Sequence, residues 1–347
     1  MKNLGILLLC ILTTSCFAQN STTSLFGSFN QPIDITSCYK PTPAIVLHAQ
    51  PEQILFQSTD GGTTWIDLSK GLPAGTDANA IFAKNGEVYL GTRDGKLYHS
   101  IDPQSASWEQ QNLEGRSTDG FINGIFTGNS GIYACFLQEG FYRQISGTNN
   151  WKPMHENLED KEVYAAMETT NGTLFVGCST GIYRSIDEGK TWKQVYSKGW
   201  VNALTYSPMG LLANDADGLI RSIDNGDNWN SALPDMAAHY KTSVIDGYLV
   251  AIRQTSNPLV TVSDDGGRTW KPMNTGNPAD KQIFDLEKMG DYLFSSRQGG
   301  ISRSNDLGKS WQLLLTPPAN NNDNNFKVFE LVTSGTTLFA LMRQGGC

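Results

Sequence analysis

Between residues 162 and 196 the chain reads EVYAAMETTNGTLFVGCSTGIYRSIDEGKTWKQVY. The apolar runs VYAAM, TLFVG, GIYRS and TWKQVY are separated by TTNG, CST and IDEGK. The runs are rich in β-branched and aromatic side chains and are bounded by Gly, Asn, Asp or Ser, the pattern of short strands joined by tight turns. This stretch predicts a four-stranded meander, strands A to D in chain order. A lone sheet of that kind leaves apolar side chains on both faces, so it must stack against copies of itself.

The copies are present. STDGGTTW ends at Trp65, SIDPQSASW at Trp108, SGTNNW at Trp151, SIDEGKTW at Trp192, SIDNGDNW at Trp229, SDDGGRTW at Trp270 and SNDLGKSW at Trp311. Successive tryptophans are separated by 43, 43, 41, 37, 41 and 41 residues, a period that signals solenoids, propellers or arrays. Radial stacking of four-stranded meanders predicts an all-β, seven-bladed β-propeller over residues 45–347.

The pattern Ser-x-Asp-x-Gly-x-Thr/Ser-Trp resembles the Asp-box, or BNR repeat, of sialidases, sortilin-type propellers, xyloglucan-cleaving glycosidases and photosystem II assembly factors. Four copies carry it well: Ser58, Asp60, Gly62 and Trp65; Ser185, Asp187, Gly189 and Trp192; Ser263, Asp265, Gly267 and Trp270; Ser304, Asp306, Gly308 and Trp311; the copy with Ser222, Asp224, Gly226 and Trp229 has Asn228 before its tryptophan. The copy at Trp108 has an extra residue near Pro103, and the copy at Trp151 lacks the aspartate. Each box joins strand C to strand D. Its aspartate accepts backbone N–H bonds in the turn, its glycine permits a positive φ, and its tryptophan packs between sheets. The box is read as a structural staple, because the families that carry it have unrelated activities.

Ring closure follows from the ends of the chain. AIVLHA and ILFQS align with EVYLG and KLYHS of the next blade, so blade 1 is expected to begin with strands B, C and D. FKVFELVTSGTTLFALMRQGGC reads as strand A and then B, which supplies the missing A and leaves one strand B surplus. Which copy is used stays open, as do an eighth blade and a chain truncated at Cys347.

MKNLGILLLCILTTSCFAQ has a basic start at Lys2, an apolar run and small residues before Gln19. It reads as a signal peptide over residues 1–18, cleaved after Ala18, followed by a lead segment over 19–44, which predicts a secreted or periplasmic protein without stable membrane insertion. Export makes disulfides permissible, and ring closure brings Cys38 and Cys347 together as an expected pair, with Cys135 and Cys178 expected as buried free thiols. No CxxC pair occurs and the four histidines are scattered, so no metal and no cofactor are expected. The formal charge of −8, with basic residues dispersed, gives no footprint for nucleic acid.

Candidate function rests on positions outside the scaffold. In propellers of the resembling families, B–C and D–A connections share the face that carries active sites. Arg93, Arg253, Arg297 and Arg343 end B strands in neighbouring blades and are candidates for binding an anion, since guanidinium groups suit bidentate recognition of carboxylates. Phe121, Trp200 and Tyr240, with Asp77, Asp119 and Glu162, lie in D–A connections and suit sugar stacking or a protein hot spot. Arg143, Arg184, Arg221 and Arg303 recur before the box serine and read as scaffold. No Arg-Ile-Pro signature, Gly-x-Ser-x-Gly elbow, phosphate loop or dinucleotide fingerprint is present,. The preferred reading is an exported binding or assembly scaffold for a protein or anionic glycan. The alternative is a sialidase-like or xyloglucanase-like glycoside hydrolase, which needs two carboxylates at a defined separation, with Asp77, Asp119, Asp285 and Glu330 as candidates.

Overall fold

The computed structural model describes residues 47–344 apart from Pro51, 117–119, 235–238, 255–258, Asn274, 277–281 and 319–326. The signal and lead segments, Cys38, Cys347 and Asp119 lie outside these residues. Seven antiparallel meanders form a propeller, with strand A of each blade innermost. Blade 2 comprises Ala78–Lys84, Glu87–Thr92, Leu97–Ser100 and Glu109–Gln110, and blade 3 comprises Ile122–Gly128, Gly131–Phe136, Gly140–Gln144 and Asn150–Pro153. Blade 4 is Val163–Glu168, Leu174–Cys178, Gly181–Ser185 and Lys193–Tyr196; blade 5 is Val201–Ser207, Gly210–Asp215, Gly218–Ser222 and Asn230–Pro234. Blade 6 is Tyr240–Ile245, Tyr248–Arg253, Leu259–Ser263 and Lys271–Pro272; blade 7 is Ile283–Met289, Tyr292–Arg297, Gly300–Ser304 and Gln312–Thr316.

Blade 1 is built from both ends of the chain. Lys327–Ser334 and Thr337–Gln344 form its strands A and B, and Leu55–Ser58 and Ile66–Asp67 its strands C and D. The N-terminal part therefore begins blade 1 with strand C, not with strand B as its alignment suggested. Leu47–His48 instead pairs parallel with Leu315–Thr316 as a fifth, outer strand of blade 7. The C-terminal strand B wins because it is already zipped to its own strand A and offers four paired positions, Leu338 to Leu341, to Ser58 through Leu55. A second outer strand, Asn112–Leu113, pairs parallel with Asn150–Trp151 of blade 3.

The core lies in the seams between blades. Tyr133, Cys135 and Phe141 of blade 3 pack against Val163, Val176 and Cys178 of blade 4, and Met167 and Phe175 of blade 4 against Val201 and Leu211 of blade 5. Cys135 and Cys178 are both free and buried in these seams, where loss of water raises both thiols well above the ordinary range, Cys135 to about 12. Strand B glycines bring the sheets close: a Cβ on Gly91 would stand 2.4 Å from Ile122, and one on Gly177 would stand 2.7 Å from the Val201 carbonyl.

The Asp-box geometry repeats closely in blades 1, 4, 5, 6 and 7. In blade 4 the Ser185 hydroxyl donates to Asp187 at 2.8 Å and accepts the Gly189 N–H at 2.8 Å, while Asp187 accepts the Thr191 N–H at 2.9 Å and its hydroxyl at 2.6 Å. These bonds hold the Asp187 and Asp224 carboxyls down at about 2. Trp192 donates to the Gly189 and Met154 carbonyls and meets Phe141 of the preceding blade edge-on at 5.5 Å. The most deeply buried box tryptophan is Trp151, 0% exposed, in the blade whose box lacks the aspartate. The added outer strand shields it, and Gln111 accepts its indole N–H at 3.2 Å.

Candidate functional site

Asp77, Phe121, Glu162, Trp200, His239 and Gln282 each stand immediately before a strand A, so they ring the channel mouth on the face shared by D–A and B–C connections. One step into the strand, blades 2, 3, 4, 5 and 7 carry a β-bulge. A bulge re-aims the extra side chain. Three of these residues are asparagines that tie the ring: Asn79 donates to the Ile122 carbonyl at 3.0 Å, Asn123 to the Val163 carbonyl at 2.9 Å, and Asn202 contacts His239 at 3.3 Å. The recurrence of AN, IN and VN at the start of strand A was readable in the sequence, but its period was masked by the stronger box signal.

Register decides where the arginines go. Arg253 and Arg297, paired with Tyr240 and Ile283, occupy the same strand B position in blades 6 and 7, which Met342, paired with Phe329, fills in blade 1. In blades 3, 4 and 5 that position holds Phe136, Cys178 and Asp215, all buried. Arg297 is 5% exposed and its guanidinium lies 4.3 Å from the centre of the Trp311 ring. Burial pulls its pKa down to about 10, so it stays charged at neutral pH. It lines a hollow of about 350 Å3 with Gly276, Gly300, Ser302, Trp311 and Leu313. Arg343 pairs with Glu330 at 3.1 Å. Arg253 is half-buried at the end of strand B of blade 6. Arg93 falls one residue beyond Thr92, the blade 2 occupant of the shared position, and so reaches outward to Asp77 at 3.5 Å. It lines a hollow of about 390 Å3 with Pro73, Asp94, Lys96 and Tyr98. The four guanidinium groups thus have separate environments, Arg253 and Arg297 at one register position, and Arg93 and Arg343 one residue beyond it in ion pairs with Asp77 and Glu330.

The candidate carboxylates are also engaged. Asp285 is 1% exposed, receives the Lys241 ammonium at 2.6 Å and accepts the Leu331 N–H at 2.8 Å. Burial works against the Lys241 charge, but Asp285 and then Glu330 hold its pKa above the usual lysine range. Nearby Glu287 is pushed up to about 8 by burial and by the Asp285 charge. This charged seam joins blades 6, 7 and 1, beside the sheet that combines Leu55–Ser58 with Lys327–Ser334 and Thr337–Gln344.

Trp200 has the opposite character. It is half-exposed, with Tyr164 edge-on at 5.9 Å and His239 edge-on at 5.4 Å, so three successive blades contribute one aromatic rim. Phe121 is half-exposed with its carbonyl accepting the Leu137 N–H at 3.1 Å, whereas Tyr240 is buried in the seam between blades 5 and 6. Tyr164 and His239 were not among the expected residues; only the ring position shared with Trp200 would have marked His239. Arg116 also escaped notice. It is held by Glu139 at 2.9 Å and lies 5.3 Å from the Phe136 ring centre, a pairing in blade 3. Among the described residues no group of three or more His, Cys, Asp or Glu side chains is arranged to hold a metal.

The BNR/Asp-box repeat profile matches residues 261–272, the turn that carries Asp265, Gly267 and Trp270. This chain is a β-propeller of the BNR/Asp-box type. No curated protein sequence matches it significantly. Among solved structures, YCF48 from Cyanidioschyzon merolae superposes with a TM-score of 0.56 at 14% identity, covering 78% of this chain and 97% of that one. A structure described as YCF48 bound to D1 peptide gives 0.55 at 17% identity, covering 75% and 93%. The extracellular domain assigned to the hybrid two component system BT4673 from B. thetaiotaomicron gives 0.58 at 13% identity, with 78% of this propeller and 41% of that chain covered. At these identities the Asp-box propeller shares their fold. No helix among its described residues is long and apolar enough to cross a membrane.

Proposed function

We propose that this Asp-box propeller is an exported binding scaffold that takes a protein segment across the face formed by its D–A and B–C connections. The observation that carries the reading is the rim of Trp200, Tyr164 and His239, a half-exposed indole fixed by edge-on neighbours at 5.9 and 5.4 Å. A rigid aromatic at a channel mouth offers a large contact area at low entropic cost, the property of interface hot spots. Arg93 in blade 2, exposed and only loosely paired with Asp77 at 3.5 Å, is the cation on this face most available to an acidic side chain of the partner. A fold-mate described as bound to a peptide and another described as an extracellular domain support the same reading, and cleavage after Ala18 would deliver the chain outside the cytoplasm.

The glycosidase alternative asks Asp285, Glu330 or Asp77 to act, and each is held in an ion pair. An anionic glycan on the aromatic rim is the second ligand class that the stacking surface suits. The test incubates the mature chain with sialoside and xyloglucan substrates and, in parallel, uses it as bait in an extract of its own cell envelope. Capture of a discrete protein with no turnover supports the scaffold. Sustained hydrolysis that Asp285→Asn abolishes would replace it with the enzyme.

A further inference from the structure

The opposite face, formed by the C–D and A–B turns, holds a pattern that the staple role of the Asp-box does not require. The residue after the box serine is Ile101 in blade 2, Ile186 in blade 4 and Ile223 in blade 5, and these are 74%, 77% and 59% exposed. Ile145 fills the same place in blade 3 and is 40% exposed. In blades 1, 6 and 7 the place belongs to Thr59, Asp264 and Asn305. The turn uses the serine hydroxyl, the aspartate carboxylate and backbone groups, so it is indifferent to this side chain, as the three polar occupants demonstrate. An apolar arc confined to four consecutive blades is thus a property of the face and not of the repeat. Next to Ile223 the arc continues into Met209, 39% exposed; a Cβ on the adjoining Gly210 would stand 3.4 Å from the Ile223 Cγ2.

Within the turns of this arc acidic residues outnumber basic ones. The two turns that carry Ile186 and Ile223 contain Asp187, Glu188, Asp224 and Asp227 against Lys190 alone. Arg143 and Arg184 tie Glu188 and Asp227 to the preceding blade at 3.5 and 2.8 Å, yet these carboxylate side chains remain 63% and 60% exposed while the arginines are 15% exposed. We infer that the Asp-box face of blades 4 and 5 is a second docking surface, for a partner protein segment in which basic side chains are interspersed with apolar ones. Ile186 and Ile223 are its apolar anchors. Their β-branched side chains have little rotamer freedom to lose on docking, and the surrounding carboxylates select cationic partners and repel an anionic lipid surface. Binding sites on both faces would let one ring bridge two partners.

The test uses a fluorescein-labelled amphipathic lysine–leucine peptide of about 18 residues and its glutamate–leucine counterpart, with anisotropy read against the mature chain at low and physiological salt. The lysine peptide should bind with a salt-dependent affinity and the glutamate peptide should not. Ile186→Ser combined with Ile223→Ser should weaken the lysine peptide by about tenfold or more, with an unchanged melting temperature because both side chains are exposed. Ile66→Ser, an exposed apolar position on the outer strand of blade 1, is the control and should bind as the wild type does. Equal binding by the double variant would reduce the attraction to general acidity and overturn the inference. A concentration-dependent dimer in light scattering that the double variant abolishes would overturn it too, since the face would then pair two copies of the chain. Failure of either kind leaves the Trp200 face untouched.

Discussion

Leu55, nine residues into the described chain, lies opposite Leu341, four residues from its described end, and both are 0% exposed. This pair is where the ring is locked, since strands from the two ends of the sequence share one sheet. Leu341→Ala removes a fully buried side chain from the seam between blades 1 and 2 and should cost about 2 to 5 kcal/mol. Urea unfolding of the variant checks it; a loss below about 1 kcal/mol would mean that the ring does not depend on this pairing.

The tryptophans should not be equivalent. Trp151 is 0% exposed and Trp192 only partly buried, so Trp151→Ala should destabilise by about 3 to 5 kcal/mol and Trp192→Ala by about 2 to 3. Thermal melts of the two variants side by side give the ranking. A larger loss at Trp192 would show that the intact box, with its bonded aspartate, stabilises more than the buried ring.

Leu307 occupies a left-handed conformation at φ +60°, and the same place in other boxes is Gly61, at +72°, or Gly266, at +72°. A leucine there costs about 1 to 2 kcal/mol relative to glycine, partly offset by the extra freedom of glycine in the unfolded chain. Leu307→Gly should raise stability by about 0.5 to 1 kcal/mol. Differential scanning calorimetry would show a higher melting temperature; a lower one would indicate that the leucine side chain makes contacts that outweigh the strain.

The charged seam gives a pH dependence of definite sign. Glu287 holds its proton up to about 8 in the folded chain, against an ordinary glutamate value near 4.3 when unfolded. Between these values the folded state binds more protons than the unfolded one, so this group makes stability fall as pH rises from about 4.3 towards 8. Glu287→Gln removes that slope, and its advantage over the wild type in urea unfolding should grow across this window and level off above it. An advantage independent of pH would place Glu287 in an ordinary, ionised environment. The box aspartates act in the other direction: Asp187 and Asp224 sit near 2 in the folded chain, so what they contribute is present above about 4 and is lost as pH falls towards 2.

The repeat architecture was legible because one turn chemistry recurs: Ser185, Asp187, Gly189 and Trp192 each have a fixed bond or conformation to satisfy, and their spacing survives in five blades. Closure was less legible, because AIVLHA and TLFALM are equally good strands on paper. Their competition is settled by pairing, four positions at Leu338–Leu341 against two at Leu47–His48. The arginine positions turned on a single residue of register. Arg93 and Arg297 both look like hairpin-tip arginines, yet a one-residue offset sends one outward to Asp77 and the other inward over Trp311, as the period of two in a strand requires. The rim around Trp200 was half-visible: the lone non-repeat tryptophan stood out, whereas Tyr164 and His239 acquire their meaning only when three blades are set side by side.

In the proposed function the repeats carry the scaffold and residues outside them carry the binding face, and Trp200 beside Trp192 is the sharpest contrast between the two. The decisive measurement is capture from the cell-envelope extract by Trp200→Ala and Trp192→Ala beside the wild type, each normalised to its folded fraction from a thermal melt. Trp200→Ala should keep the wild-type melting temperature and lose most of the capture, while Trp192→Ala should melt lower and still capture in proportion to the folded protein. Undiminished capture by a well-folded Trp200→Ala chain would contradict the assignment of the binding face.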